Sequence, residues 1–320
     1  MGKGDLCDRQ PTLCAMLRPR SSNIAVKLDK VANATLSKPK VFMDNIKEIS
    51  FNGFYFHHTV EHKPMPAAFS RHCHNMYEVI FFLEGEGEFL VEGSRYALLP
   101  NSLLLLRPRE FHYMNISPNT TYERYVVHFS SELLLLQDFQ TLLEPFDNRI
   151  AGQGNLYYCK DMTNAISQLF IRLADYSCLP EDEKIMLSKC ILSELLVLVL
   201  GIFRRRDETL TLPKSDLGIE LIAYLNENIT RPIHLEQLAE QFFVSKYYLS
   251  HIFKNCTGIS IMDYVIRKRV KMAQSMISNG IPAAKAAQSC GFGDYTSFFR
   301  AYKRIIGASP STKIIKHQDI

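Results

Sequence analysis

The chain has 320 residues, a formal net charge of +4, 47% hydrophobic residues and 22% charged residues. These globular proportions exclude a disordered or fibrous chain and supply apolar material for two cores. So small a charge excess also excludes a general nucleic-acid coat, which binds through bulk positive charge. Eight cysteines, at positions 7, 14, 73, 159, 178, 190, 256 and 290, form no CxxC pair or regular framework. That distribution is the one expected of free thiols in a reducing cytoplasm.

Residues 1–40 are polar and mixed, contain no continuous apolar stretch of the signal-peptide kind, and read as a flexible arm. From Val41 to Ser130 the pattern changes to short β-branched and aromatic runs, separated by Gly, Pro and Asn turns: Ile49–Phe56, Tyr77–Leu83, Glu88–Val91, Leu103–Leu106 and Tyr125–Phe129. Many short strands at close spacing predict a β-sandwich or barrel. On a strand His72 and His74 share one face and Cys73 takes the other. With Glu78 and His112 these imidazoles make either a polar wall for a ligand or a site for a divalent transition metal, and a structural role stays open beside both. Gly85-Glu86-Gly87 lacks dinucleotide-binding spacing, and no nucleophile or phosphate-loop pattern supports catalysis, so the chain is not expected to be an enzyme.

Helical periodicity begins at Met162–Tyr176 and continues over Ile185–Phe203, whose wide apolar face is broken by Ser188, Lys189, Ser193 and Glu194. The second run falls short of a membrane span and is expected to pack on its own domain and, as a helical pair, on a second subunit. Residues 207–215 then form a linker.

The last hundred residues carry one pattern twice. Leu235, Leu238, Ala239 and Phe242 mark a first helix, Ser245 caps a second with Leu249, Ile252 and Phe253 inside, and Gly258 stops it. About fifty residues later Ala286-Ala287, Gly291-Phe292, Asp294, Phe298, Tyr302 and Gly307 repeat the sentence. Between the copies Ile261–Ser278 reads as one helix, roughly 27 Å long at 1.5 Å per residue, enough to set two recognition helices about one DNA turn apart. Lys246, Tyr247, Ser250 and His251 face outward on the first unit, as do Tyr295, Thr296, Phe299 and Arg300 on the second. From Lys214 onward fourteen Lys and Arg stand against eight Asp and Glu, which points this half at an anionic partner.

Residues 216–313 resemble the DNA-binding domain of AraC/XylS-type transcriptional regulators. The small-residue helix, the Gly-Phe turn, the outward helix ending in aromatic-Lys, the closing Gly307-Ala308-Ser309-Pro310, and the linker's Tyr264, Arg269 and Ala273 carry the match; Ala283, Ala286 and Thr312-Lys313 depart from it. The resemblance implies base contacts from Tyr247, Ser250, His251, Tyr295, Thr296 and Arg300, with Lys246 beside them on the same face. His72-Cys73-His74, Glu78, Gly85, Gly87, Pro108 and His112 likewise resemble the cupin barrel that such proteins use as a sensor, although Asn101-Ser102 stands where a second cupin motif has Gly. In enzymatic cupins His72, His74, Glu78 and His112 would be metal ligands; in regulators they commonly line an effector pocket without metal.

The resulting expectation is a two-domain chain. Residues 41–206 form an N-terminal all-β cupin-like barrel with an appended helical pair, for sensing and dimerisation. Residues 216–313 form an all-α domain with two helix-turn-helix units joined by a long helix, and 314–320 are a tail. The implied function is a cytoplasmic, homodimeric regulator of promoter DNA. It would be an activator working with RNA polymerase, controlled by a small-molecule effector such as a sugar and needing no cofactor. The alternatives are control by a protein partner or by abundance, and a metal-dependent cupin enzyme fused to a DNA-binding domain.

Overall fold

Strand alternation in the first half builds two antiparallel sheets, seen in a computed structural model that describes residues 47–64, 71–134, 137–158, 163–205 and 217–312. The expected arm, linker and tail lie outside the described residues. The strands are β1 (Lys47–Phe51), β2 (Phe54–Glu61), β3 (Tyr77–Glu84), β4 (Gly87–Val91), β5 (Ser94–Leu98), β6 (Ser102–Leu106), β7 (His112–Ile116), β8 (Tyr122–Phe129) and β9 (Leu156–Tyr158). One sheet has the order β1-β2-β8-β3-β6-β9, and the other β5-β4-β7.

The larger sheet is buried on both faces, which explains the unbroken apolar runs of β3 and β6. Val79 and Phe81 pack toward helices, while Ile80 and Phe82 pack toward the smaller sheet with Phe89, Met114 and Ile116. The run Ile49–Phe56 is not one strand: Asn52 and Gly53, the latter at φ +78°, turn it into the β1–β2 hairpin. At the expected turn after Pro100, Asn101 itself adopts φ +68°, a conformation that Asn tolerates better than most residues, so Gly is not required there.

Among the described residues the helices are α1 (Glu144–Asp147), α2 (Thr163–Tyr176), α3 (Glu181–Arg205), α4 (Leu217–Glu227), α5 (Leu235–Gln241), α6 (Lys246–Thr257), α7 (Ile261–Ser278), α8 (Ala283–Ser289) and α9 (Tyr295–Ile306). By length and composition α3 is apolar enough to cross a membrane, contrary to the sequence reading. Its Ile191, Leu192, Leu195, Leu196 and Val199 are nevertheless packed with α2 against the large sheet, the place of a core helix. A buried ion pair ties the β-rich part together: Arg149 donates to both oxygens of Glu110 at 2.6 and 2.7 Å.

The helical part follows its expected grammar closely. Ser245 and Asp294 accept from the amides of Tyr248 and Ser297 as N-caps, and Gly258 (φ +75°) and Gly307 (φ +80°) end α6 and α9 in left-handed conformations. One core joins α4, α5, α6 and the start of α7 around Leu249, Phe253 and Tyr264. A second joins the rest of α7 to α8 and α9 around Ala273, Ala286 and Phe298. Arg269 on α7 brackets the two units, donating to Ile229 O at 2.7 Å, Arg231 O at 2.5 Å and Gly291 O at 2.7 Å. Among the described residues the β-rich and helical parts are packed together, with Cys73 and Phe111 in the core of the helical part.

Candidate DNA-reading helices and ligand pocket

The caps of α6 and α9 leave one face of each helix free. Lys246, Tyr247 and His251 are exposed on α6 with Ser250 partly exposed, and Tyr295, Thr296, Phe299 and Arg300 are exposed on α9. Each expected DNA-reading residue therefore lies on the solvent side of a helix whose opposite side is Leu249 and Phe253, or Phe298 and Tyr302. Lys246 sits 5.7 Å from the centre of the Tyr247 ring and 3.5 Å from Glu236, an exposed ion pair that phosphate can displace. The Asp294 carboxyl is held below its ordinary range by the Ser297 amide and hydroxyl that it caps.

The four pocket residues come together between the sheets, although His72 lies outside a regular strand. It forms an isolated bridge to His112, so the expected alternation holds without the expected element. His74 Nε2 is 2.9 Å from Glu78 Oε2, and His112 Nε2 is 3.3 Å from the same oxygen. The His72 ring centre is 4.5 Å from that of His112. His128 was not anticipated. It stands directly opposite Glu78 in the β3–β8 register, with Nε2 3.0 Å from Glu78 Oε1. Period-two reading of Tyr125–Phe129 places Val126 and His128 on one face, but only strand pairing brings that face to Glu78.

His74, Glu78, His112 and His128 are all buried, whereas His72 is exposed at the rim. Burial pushes the Glu78 carboxyl up, but His128, His74 and His112 outweigh it and hold it well below its ordinary range. Burial lowers His74, and lowers His112 further with the help of His72, so both imidazoles are neutral near pH 7. Two triads, His72–His74–His112 and His74–Glu78–His128, keep their donor atoms within 4.8 Å of one another. Neutral imidazoles and an ionised carboxylate are what a transition-metal ion requires, and they equally suit hydrogen bonds to a polar organic ligand.

The wall of this pocket is also the seat of the helical part. Cys73, between His72 and His74, and Phe111, beside His112, turn the other way and enter the core of α4, α6 and α7. There the Phe111 ring meets the Tyr264 ring edge-on at 5.7 Å. The β4–β5 turn completes the contact: Glu92, buried and at φ +47°, accepts from Tyr264 Oη, Lys268 Nζ and, at 2.8 Å, the Phe111 amide. Lys268, on the helix expected to space the two units, is the buried partner of Glu92.

A family model described as an AraC-like ligand binding domain matches residues 60–176, and one described as a helix-turn-helix domain matches residues 238–313. The chain joins an AraC-like ligand-binding domain to a helix-turn-helix domain, the pairing of AraC-type transcriptional regulators. Relatives of this chain extend over most of its length. The probable transcriptional regulator LumQ of Photobacterium leiognathi is 26% identical over 244 residues, 75% of this chain and 90% of its own. The HTH-type transcriptional activator RhaS of Escherichia fergusonii is 23% identical over 256 residues, 78% and 89% of the two chains. Among solved structures, ToxT from Vibrio cholerae is 15% identical, covers 81% of this chain and 97% of that one, and superposes with a TM-score of 0.34.

Proposed function

We propose that this AraC-family regulator binds promoter DNA through α6 and α9 under the control of an effector held between the β-sheets. The observation that carries this reading is the two-sided pocket wall. His72, His74 and His112 face the pocket while Cys73 and Phe111, on the same two segments, fill the core of the DNA-binding domain. A ligand that moves this wall acts directly on α7. Such control requires only that the ligand favour one arrangement of the two domains over the other.

Activation is the proposed direction, in keeping with a relative named as an activator, and RNA polymerase is then the further partner. Dimerisation through the α2–α3 pair is part of the same proposal. It is supported by the exposed apolar residues Ile171, Met186 and Val197 on those helices. Sedimentation showing only monomer at micromolar concentration would remove the dimer.

The experiment that tests effector control is thermal unfolding of the full chain with sugars, aromatic acids and divalent metals, because a ligand selective for the folded state raises its stability. A rise of about 2.7 kcal/mol is expected at a hundredfold excess of ligand over its Kd, and it should vanish in Glu78→Gln. No shift with any class would transfer control to a protein partner or to abundance. On the DNA side, Arg300→Ala is expected to cost roughly 1–3 kcal/mol on the specific site and to relax preference at one base pair, measured by binding titrations on an operator selected from random DNA. Equal losses on specific and random DNA would reduce Arg300 to a phosphate contact.

A further inference from the structure

The two helix-turn-helix units turn in the same way and differ at one residue that the fold does not ask for. In each, the first helix ends in a pair of bonds that run back over its last turn. The Phe243 amide donates to Glu240 O at 3.2 Å and the Val244 amide to Ala239 O at 3.0 Å. In the second unit the Gly291 amide donates to Gln288 O at 3.0 Å and the Phe292 amide to Ala287 O at 3.1 Å. This helix stop needs one residue in the left-handed region, a place that glycine fills with least strain. The second unit keeps to that rule with Gly291 at φ +83°. The first unit has Phe243 there, at φ +54°.

Left-handed backbone is strained for a bulky side chain, because Cβ crowds a carbonyl oxygen. Packing does not offset the strain: the Phe243 ring is 95% exposed, more than any other large hydrophobic side chain among the described residues. Its neighbours turn inward, Phe242 edge-on to Tyr224 at 5.8 Å and Val244 against the core of α4, α5 and α6. At Gly291 a Cβ would lie 2.3 Å from Thr230 O, so the second unit has no room for a side chain where the first carries a phenyl ring. A strained backbone and an exposed ring both weigh against the free, folded chain, and a contact outside the chain accounts for both.

The place of the ring in its unit identifies that contact. Phe243 lies two residues before Ser245, the N-cap of α6, and the N-terminal residues of the second helix in such a unit are the ones that enter the major groove. The residues that follow are exposed and include a cation: Lys246, Tyr247 at 79% and Tyr248 at 53%. Aromatic rings beside a lysine at this end of the helix suit a duplex, whose phosphates are anionic and whose major groove displays one apolar group, the thymine C5 methyl. We infer that Phe243 is a specificity-determining residue that reads a thymine methyl at the edge of the site recognised by α6. This deepens the reading of α6 as a DNA-binding helix and rests on it.

The test uses the full chain and an operator selected from random DNA. Phe243→Asn keeps the left-handed turn, which Asn tolerates, so its Tm is expected to equal or exceed that of the wild type while operator affinity falls at least about fivefold. Replacing thymine by uracil removes only the methyl. Scanning the operator in this way should find a position at which the wild type loses the same factor and Phe243→Asn loses nothing. Phe243→Leu, apolar but smaller, should recover part of the affinity. A lowered Tm in Phe243→Asn would make the ring a structural part of the turn and overturn the assignment. An affinity loss that no thymine-to-uracil change reproduces would overturn it too. So would unchanged operator affinity with reduced transcription in a purified system containing RNA polymerase, which would give the ring to a protein partner. Tyr247→Ala separates this assignment from the reading beneath it. Affinity lost there but kept in Phe243→Asn removes the Phe243 contact alone, whereas affinity kept in both removes α6 as a reading helix.

Discussion

Glu92→Ala is expected to destabilise the protein by about 3–5 kcal/mol, because it leaves the Lys268 ammonium buried without a counter-charge. The side chains of this pair are almost fully buried, and Glu92 also serves the Tyr264 hydroxyl and the Phe111 amide. With the Asn226 side-chain amide at 3.5 Å, removing it strips four donors of one acceptor in the seam between the domains. Removing both charges together, as Glu92→Leu with Lys268→Met, should restore much of the loss, since an apolar pair of similar volume has no desolvation cost to recover. Urea unfolding of the single and double variants measures the difference. A single variant within about 0.5 kcal/mol of wild type would mean that water reaches Lys268 and the seam is loose. The same variants report on coupling: if the seam transmits the pocket's state, effector-dependent changes in operator affinity should shrink in the double variant even where stability is recovered.

Acidification of the metal-free protein should have the second large effect. Burial first, then Arg124 and His128, lowers His57 to about 3, with Glu78 opposing and His58 adding a little. His74 and His112 are lowered as well. An unfolded histidine titrates near 6.5, so below that pH the unfolded chain takes up protons that the folded rings refuse. The stability these neutral rings contribute is complete above about pH 6.5 and is lost as pH falls toward their folded values, at about 1.4 kcal/mol per pH unit for His57, whose folded value is about 3. His57 alone then costs about 2 kcal/mol between pH 6.5 and 5. Glu78, lowered rather than raised, adds a loss of the same sign at pH values below its ordinary range. Denaturant titrations from pH 7.5 to 5 should show a midpoint that falls steadily, and His57→Phe should flatten part of that slope. A flat profile would mean that the pocket admits water freely.

The helical half was legible because its signals are local. Ser245, Gly258, Asp294 and Gly307 each act within a few residues of their own position, and the run Ile261–Ser278 coincides with α7 at both ends. The β-rich half was legible only in outline. The hairpin at Asn52-Gly53 is announced by a strong local turn signal, an Asn-Gly pair between apolar residues, which a reading of Ile49–Phe56 as one strand passes over. Strands β5, β7 and β9 are short and carry polar residues, and pair with partners that no local pattern names.

The pocket divides along the same line. His72, His74 and Glu78 lie within seven positions and announce themselves. His128 reaches Glu78 across a strand pairing fifty residues long in sequence, and His57 joins the same face only through β2. Glu92 and Lys268 are separated by 176 residues, and nothing in a basic spacer helix marks one lysine as buried.

The shared helix α7 has a consequence for the DNA. It supplies side chains to both helical cores, and Arg269 pins it to the loop of one unit and the turn of the other. The protein therefore cannot stretch to follow an operator whose two half-sites are moved apart. Any mismatch in spacing must be absorbed by twisting or bending the duplex, at a cost set by the base steps that lie between the contacts. If α6 and α9 each read a half-site as proposed, base pairs that no side chain touches enter the operator's sequence preference, and so does the length of DNA between the half-sites.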